Sequence, residues 1–201
     1  MVTVEVDADS VERRLGEGKL GCPGCGGRLA RWGYARVRSV RERVGVVRVR
    51  PRRARCAECE ATHVLLPVTC WLRRADTVEV IGAALAARAA GAGYRVIAAG
   101  LGRAGETVRG WLRRFGGRVE AVRSFFTVLM VRVDIDPVIP GPGVSGWVEA
   151  ITAIGGAWQA AVSRFRWVSG IGRVTVWQSA CAATSGRLMS PSWPGLAINT
   201  N

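Results

Sequence analysis

Cys22 and Cys25 stand two residues apart in GCPGCGG, and Cys56 and Cys59 repeat the spacing in CAEC after thirty intervening residues. Four thiolates in a C-x2-C-x30-C-x2-C frame can surround one tetrahedral Zn²⁺ at about 2.3 Å per bond. The frame requires the chain to fold back on itself between the pairs, which a β-hairpin accomplishes, although a compact zinc finger uses a shorter spacer. Gly24, Gly26 and Gly27 let the first pair turn tightly, and the second pair, followed by Glu60 and Ala61, lacks such a glycine. A redox dithiol is a weaker reading, because it needs one CxxC beside a βαβ pattern and this chain has two pairs and no such pattern. His63 completes C-x2-C-x3-H and is an alternative ligand, while Cys70 and Cys181 are isolated and expected in the core.

The stretch between the pairs is arginine-laden, with eleven arginines and the single acid Glu42 from Arg28 to Arg55. So few apolar side chains bury little area, and a structural zinc can contribute on the order of 10 kcal/mol of folding free energy to such a segment. Arg36 and Arg38, then Arg48 and Arg50, alternate with Val37, Val47 and Val49. This period of two predicts a hairpin bending near Gly45, with Pro51 ending its second strand. A like-charged run repels itself unless it meets an anion, which makes Arg48, Arg50, Arg52 and Arg53 candidate phosphate contacts. Trp32 and Tyr34 interleave with the arginines, either to stack on bases or to pad the sheet. The whole chain agrees in sign, since 29 Lys+Arg against 15 Asp+Glu give +14, a balance suited to a polyanionic partner.

From Asp76 the pattern turns helical. Asp76 or Thr77 is placed to cap a helix to about Ala90, with Glu79 completing a capping box and Val80 and Leu85 buried, before GAG at 91–93 ends it. YRVIAAGL forms a second helix stopped at Gly102, and a third starts near Gly105 or Glu106 and ends at Gly116-Gly117. Residues after 118 read as a further helix or a buried strand, then DPVIPGPG as a linker. Trp147, Ile151, Ile154, Trp158, Ala161 and Phe165 recur at helical spacing, the stripe of an amphipathic helix. SPSWPG and LAINTN read as an irregular tail, and residues 1–20 as polar and weakly structured.

YRVIAAGLGRAGETVRGWLRRF resembles the helix-turn-helix of bacterial repressors, invertases and transposases. Val96, Ile97 and Leu101 would bury the first helix, Ala98 would allow close contact, Gly102 would open the turn, and Val108, Trp111 and Leu112 would bury the second. The resemblance implies a second helix in the major groove, with Glu106, Thr107, Arg109 and Arg113 at base edges and Arg103, Arg114 and Arg118 at phosphates. CPGCGGRLARWGYARVR, RRARCAECEATHVLLP and TVRGWLRRF in this order also resemble short zinc-finger plus helix-turn-helix proteins of uncharacterised function associated with bacterial mobile elements, and the N-terminal region of insertion-sequence transposases. Only Glu120, Asp134, Asp136 and Glu149 follow the motif as carboxylates, in a tail too short for a nuclease fold, so no catalytic residue is assigned.

The expectation is an α+β protein: an N-terminal extension (1–20), a small β zinc-ribbon-like domain (21–75), a mainly α-helical helix-turn-helix domain (76–118), and a C-terminal helical region with an irregular tail (119–201). One structural Zn²⁺ is held by Cys22, Cys25, Cys56 and Cys59. The partners are double-stranded DNA, a second copy of the chain on paired half-sites, and a separately encoded transposase. The chain would act as a regulator or transposition accessory and not as an enzyme; an RNA-binding zinc protein is the alternative. The first fifteen residues lack a continuous apolar run and the longer apolar segments are interrupted by charges, so no signal peptide or membrane span is read and a cytoplasmic, nucleoid-associated place is expected.

Overall fold

The computed structural model describes residues 1–168 and 171–194 and is a mixed α+β fold with a small N-terminal sheet. It divides into two compact units, one of Met1–Val78 with Cys181–Ser190, the other of Glu79–Ala180 with Pro191–Asn201. The tail LAINTN lies outside the described residues.

In the first unit, β1 (Val2–Val4) is followed by α1 (Ala8–Gly16), where the sequence suggested a weakly structured extension. The Asp7 carboxylate accepts from the Ser10 amide at 3.0 Å and caps α1. Val11 and Leu15, one turn apart, are buried with Val4, Leu20, Leu29, Ala54 and Leu65. A short segment needs partners to be stable; these apolar side chains reach them only through pairing with a strand sixty residues away, which local polarity conceals.

β2 (Leu29–Tyr34), β5 (Arg52–Cys56) and β6 (Thr62–Pro67) complete a four-stranded sheet of order β1-β6-β5-β2, with β1 parallel to β6 and the other pairs antiparallel. A register shift between Arg31 and Tyr34 coincides with Gly33 at φ +94°, a bulge that only glycine adopts without strain. The anticipated hairpin exists as β3 (Arg38–Arg41) and β4 (Val46–Val49), turning at Gly45 with φ +91°. It is a separate two-stranded sheet, however, and β2 pairing with β5 is what brings the cysteine pairs together. Its valine face is only partly covered: Val40 is buried and Val49 packs beside it, whereas Val47 is exposed. Arg41 pairs with the buried carboxylate of Asp76 at 2.6 Å, so Asp76 ties down the hairpin. Cys70 and Cys181 are both buried, the Cys181 thiol lying 3.4 Å from the Cys70 carbonyl, and burial pushes both thiols above their ordinary value.

The second unit is helical: α2 (Val78–Ala89), α3 (Tyr94–Leu101), α4 (Gly105–Gly116), α5 (Val119–Val133), α6 (Gly146–Arg164) and most of α7 (Val176–Ala183), with a 3-10 turn at Ile171–Arg173 before α7. Val80 and Leu85 are buried on α2. Glu79, in the first turn of α2, accepts a hydrogen bond from the Thr175 hydroxyl. The segment after 118 is a helix, burying Val122, Phe126 and Met130. On α6 the buried face is Ala150, Ala153, Ile154, Ala157 and Ala160, not the Trp/Ile stripe: Trp147, Ile151 and Trp158 are only half-buried, and Phe165 is exposed. Small residues let α6 lie close to α5, where a Cβ on Gly156 would stand 2.9 Å from Met130 Sδ, and close packing favours that face over a wider aromatic one. Among the described residues no helix is long and apolar enough to cross a membrane.

Candidate metal centre and basic surfaces

The ends of β2 and β5 carry the cysteine pairs, because Leu29 is registered opposite Cys56. Gly26 at φ +77° and Glu60 at φ +60° each follow the second cysteine of a pair, so both knuckles demand the left-handed conformation at the same position. All four sulfurs lie within 4.8 Å of one another, with Cys22 Sγ to Cys59 Sγ at 3.7 Å and Cys25 Sγ to Cys56 Sγ at 3.4 Å. A tetrahedral ion with four sulfurs at about 2.3 Å separates them by about 3.8 Å. The four cysteines could therefore hold a metal ion, and the donor set suits zinc.

The backbone supports negative charge on this cluster. The Gly24 amide donates to Cys22 Sγ at 3.4 Å and the Cys59 amide to Cys56 Sγ at 3.5 Å. Chiefly through the Gly24 amide, with help from the Cys25 amide and the Cys59 thiol, Cys22 is lowered to about 6. Cys56 behaves oppositely: the Cys59 amide pulls it down, but burial, the Glu58 carboxylate and the Cys25 sulfur outweigh this and push it up to about 12. The Cys56 thiol donates to Glu58 Oε2 at 3.2 Å. His63 is buried with Nε2 3.4 Å from Cys22 Sγ. It stands beside the four-sulfur set as a partner of one ligand, the position from which an outer hydrogen bond orients a thiolate.

The arginines of the ribbon take different positions. Arg48 and Arg50 are exposed, and Arg50 lies over the Tyr34 ring at 4.7 Å. Arg52 covers the same ring at 4.4 Å, but its guanidinium is committed to Glu12 at 2.8 Å and its side chain is largely buried, which leaves little of it for a phosphate. Arg53 is half-buried on β5. The sequence pattern could not separate Arg52 from its neighbours, because Glu12 lies forty residues earlier on α1.

In the second unit α3 and α4 pack together across a short turn in which Gly102 is left-handed at φ +61°. Ile97, Ala98 and Leu101 are buried on α3, as are Val108, Trp111, Leu112 and Phe115 on α4. Val96 departs from the expectation and is 71% exposed, since it lies about 100° around the helix from Ile97. Glu106, Arg109 and Arg113 are exposed on α4, with Thr107 and Arg114 half-buried, and Arg109 lies 3.5 Å from Glu106. Arg103 donates to the carbonyls of Leu101 and Gly102, and Arg118, whose pKa burial lowers, donates to the Pro191 carbonyl. Both of these cations therefore take part in internal hydrogen bonds.

Comparison with known proteins finds no family model, no curated protein and no solved structure that matches this chain, so the chemistry of its own residues carries the functional argument.

Proposed function

We propose that this chain is a sequence-specific duplex DNA-binding protein, with a structural zinc at Cys22, Cys25, Cys56 and Cys59 and with α3 and α4 acting as a helix-turn-helix. The observation that carries the reading is the division of α4 into two faces. Val108, Trp111, Leu112 and Phe115 are buried, while Glu106, Arg109 and Arg113, spaced by three and four residues, stand together on the outer face. A helix anchored in this way can enter the major groove, Arg109 or Arg113 reading guanine and Glu106 accepting from cytosine. Arg48, Arg50 and Arg114 add phosphate contacts, which raise affinity without reading sequence. The zinc fixes β2 against β5 and has no chemical step to perform. The chain works as a transcriptional regulator or a transposition accessory, two copies binding paired half-sites, and no catalytic residue is part of this reading.

Selection of bound duplexes from a random pool tests it. A defined sequence, repeated at a spacing of one helical turn if two copies bind, is the expected result. Recovery of no preferred sequence, or preference for structured RNA over duplex DNA at fixed salt, overturns it.

A further inference from the structure

The two faces of the ribbon sheet differ. Ala54, His63 and Leu65 are buried on one face, Ala54 and Leu65 in one cluster with Val11 and Leu15 of α1. The register places Ala30, Arg55 and Thr62 in one row across the opposite face and Arg53 beside Val64 in the next. Trp32 joins that face, because the Arg55 guanidinium lies over its ring at 4.9 Å, whereas Arg31 on the other side reaches Glu12 of α1 at 3.0 Å. Ala30 and Thr62 are exposed, and Trp32 retains 49% of its surface in solvent.

We propose that the exposed end of this sheet face, around Ala30, Trp32 and Thr62, binds single-stranded nucleic acid, with an unpaired base stacked on Trp32 and the strand's phosphates on Arg53 and Arg55. An indole half in water is costly to leave exposed, and a base supplies a flat π-face to cover it whatever its identity. Arg55 already lies against the indole, held by the Glu60 carboxylate at 2.9 Å, so the stacking platform is built before a strand arrives. Arg53 and Arg55 project from the same face of β5 about 6.6 Å apart, at the two-residue repeat of a strand, and can follow a backbone running along it. Charge complementarity selects the occupant: the chain carries +14, this face presents Arg53 and Arg55, and a nucleic-acid strand is polyanionic.

Width excludes a duplex groove from this surface. Three strands at about 4.8 Å spacing separate the outer strand axes by about 10 Å before backbone and side chains are added. That total exceeds a major groove about 12 Å wide. Paired bases in a duplex are moreover stacked on both faces and offer the indole nothing to cover. The proposal is independent of α4: it adds a second nucleic-acid surface, which suits a protein acting where strands are locally open.

The test uses the full-length chain purified with zinc, and fluorescence anisotropy of short labelled oligothymidine and oligouridine strands at fixed salt. Trp32→Ala is expected to weaken single-strand binding roughly 5- to 100-fold, with Trp32→Phe recovering most of it. Zinc content and circular dichroism of the variants should equal wild type. Arg109→Ala should leave single-strand affinity unchanged while weakening binding to the selected duplex, so the two surfaces fail separately. Binding of either strand supports the assignment, and a preference between them identifies the sugar accepted. Equal affinity of wild type and Trp32→Ala for single strands overturns it, as does a wild-type protein that binds neither strand.

Discussion

Cys25 Sγ lies 3.4 Å from Cys56 Sγ, although thirty residues separate them and a two-stranded hairpin of its own intervenes. The contact depends on β2 lying antiparallel to β5, and a metal ion bridging the pairs would hold that register. Removing zinc with a chelator is expected to unfold the first unit, since structural zinc contributes on the order of 10 kcal/mol. Cys25→Ser should bind well below one zinc per chain. Metal analysis and thermal melting check both, and a chelator-treated protein with an unchanged melt would end the structural-zinc reading.

Glu60 occupies the left-handed position that Gly26 fills in the first knuckle. Glu60→Gly is expected to relieve roughly 1 kcal/mol of backbone strain. The lost ion pair with Arg55 is solvent-exposed and offsets little of that. A denaturant titration of the zinc-loaded chain should therefore give a higher midpoint for Glu60→Gly than for wild type.

His63 supports a ligand and is not needed to complete the four-sulfur set. His63→Ala should lower zinc affinity about 10- to 100-fold while leaving the stoichiometry at one, the usual effect of losing an outer hydrogen bond. Competition with a chromogenic chelator measures the affinity; complete loss of zinc would instead make His63 a ligand.

Arg109→Ala should cost roughly 1–3 kcal/mol on the selected duplex and relax discrimination at one base pair. Arg114→Ala, which removes a proposed phosphate contact, should weaken all duplexes alike and reduce the salt dependence. Titrations of cognate and mutated sites at several salt concentrations separate the two roles.

Gly82 faces the ring of Trp177, and a Cβ there would lie 2.2 Å from the nearest ring atom. Trp177 is buried and has little room to retreat. Gly82→Ala should destabilise the chain by about 1–3 kcal/mol through overpacking, despite alanine's better helix propensity. Thermal unfolding reads the sign directly.

Short-range features were the readable ones. The helices at Val78–Ala89, Tyr94–Leu101 and Gly105–Gly116 end where Gly91, Gly102 and Gly116-Gly117 announce it, because capping and 3.6-residue periodicity are local properties. Asp7, Ser10, Val11 and Leu15 carried a helix signal too, an N-cap followed by two apolar residues four apart, obscured by the charges around them. On α6 periodicity identified the helix and misplaced its buried face, because alanine against α5 gains more from close approach than the tryptophans gain from burial.

Spacing and composition by themselves determined that the four paired cysteines form one candidate metal set, that basic charge gathers between them, and that helices follow, since each of these depends on residues a few positions apart or on chemistry that no fold can remove. Only the tertiary structure decided which strands close the cluster, that Arg52 turns inward to Glu12 while Arg55 lies over an exposed Trp32, and that His63 rests against Cys22. Those choices depend on partners about twenty to forty residues distant, where the energy of burying one face of a sheet selects among side chains that look alike along the chain.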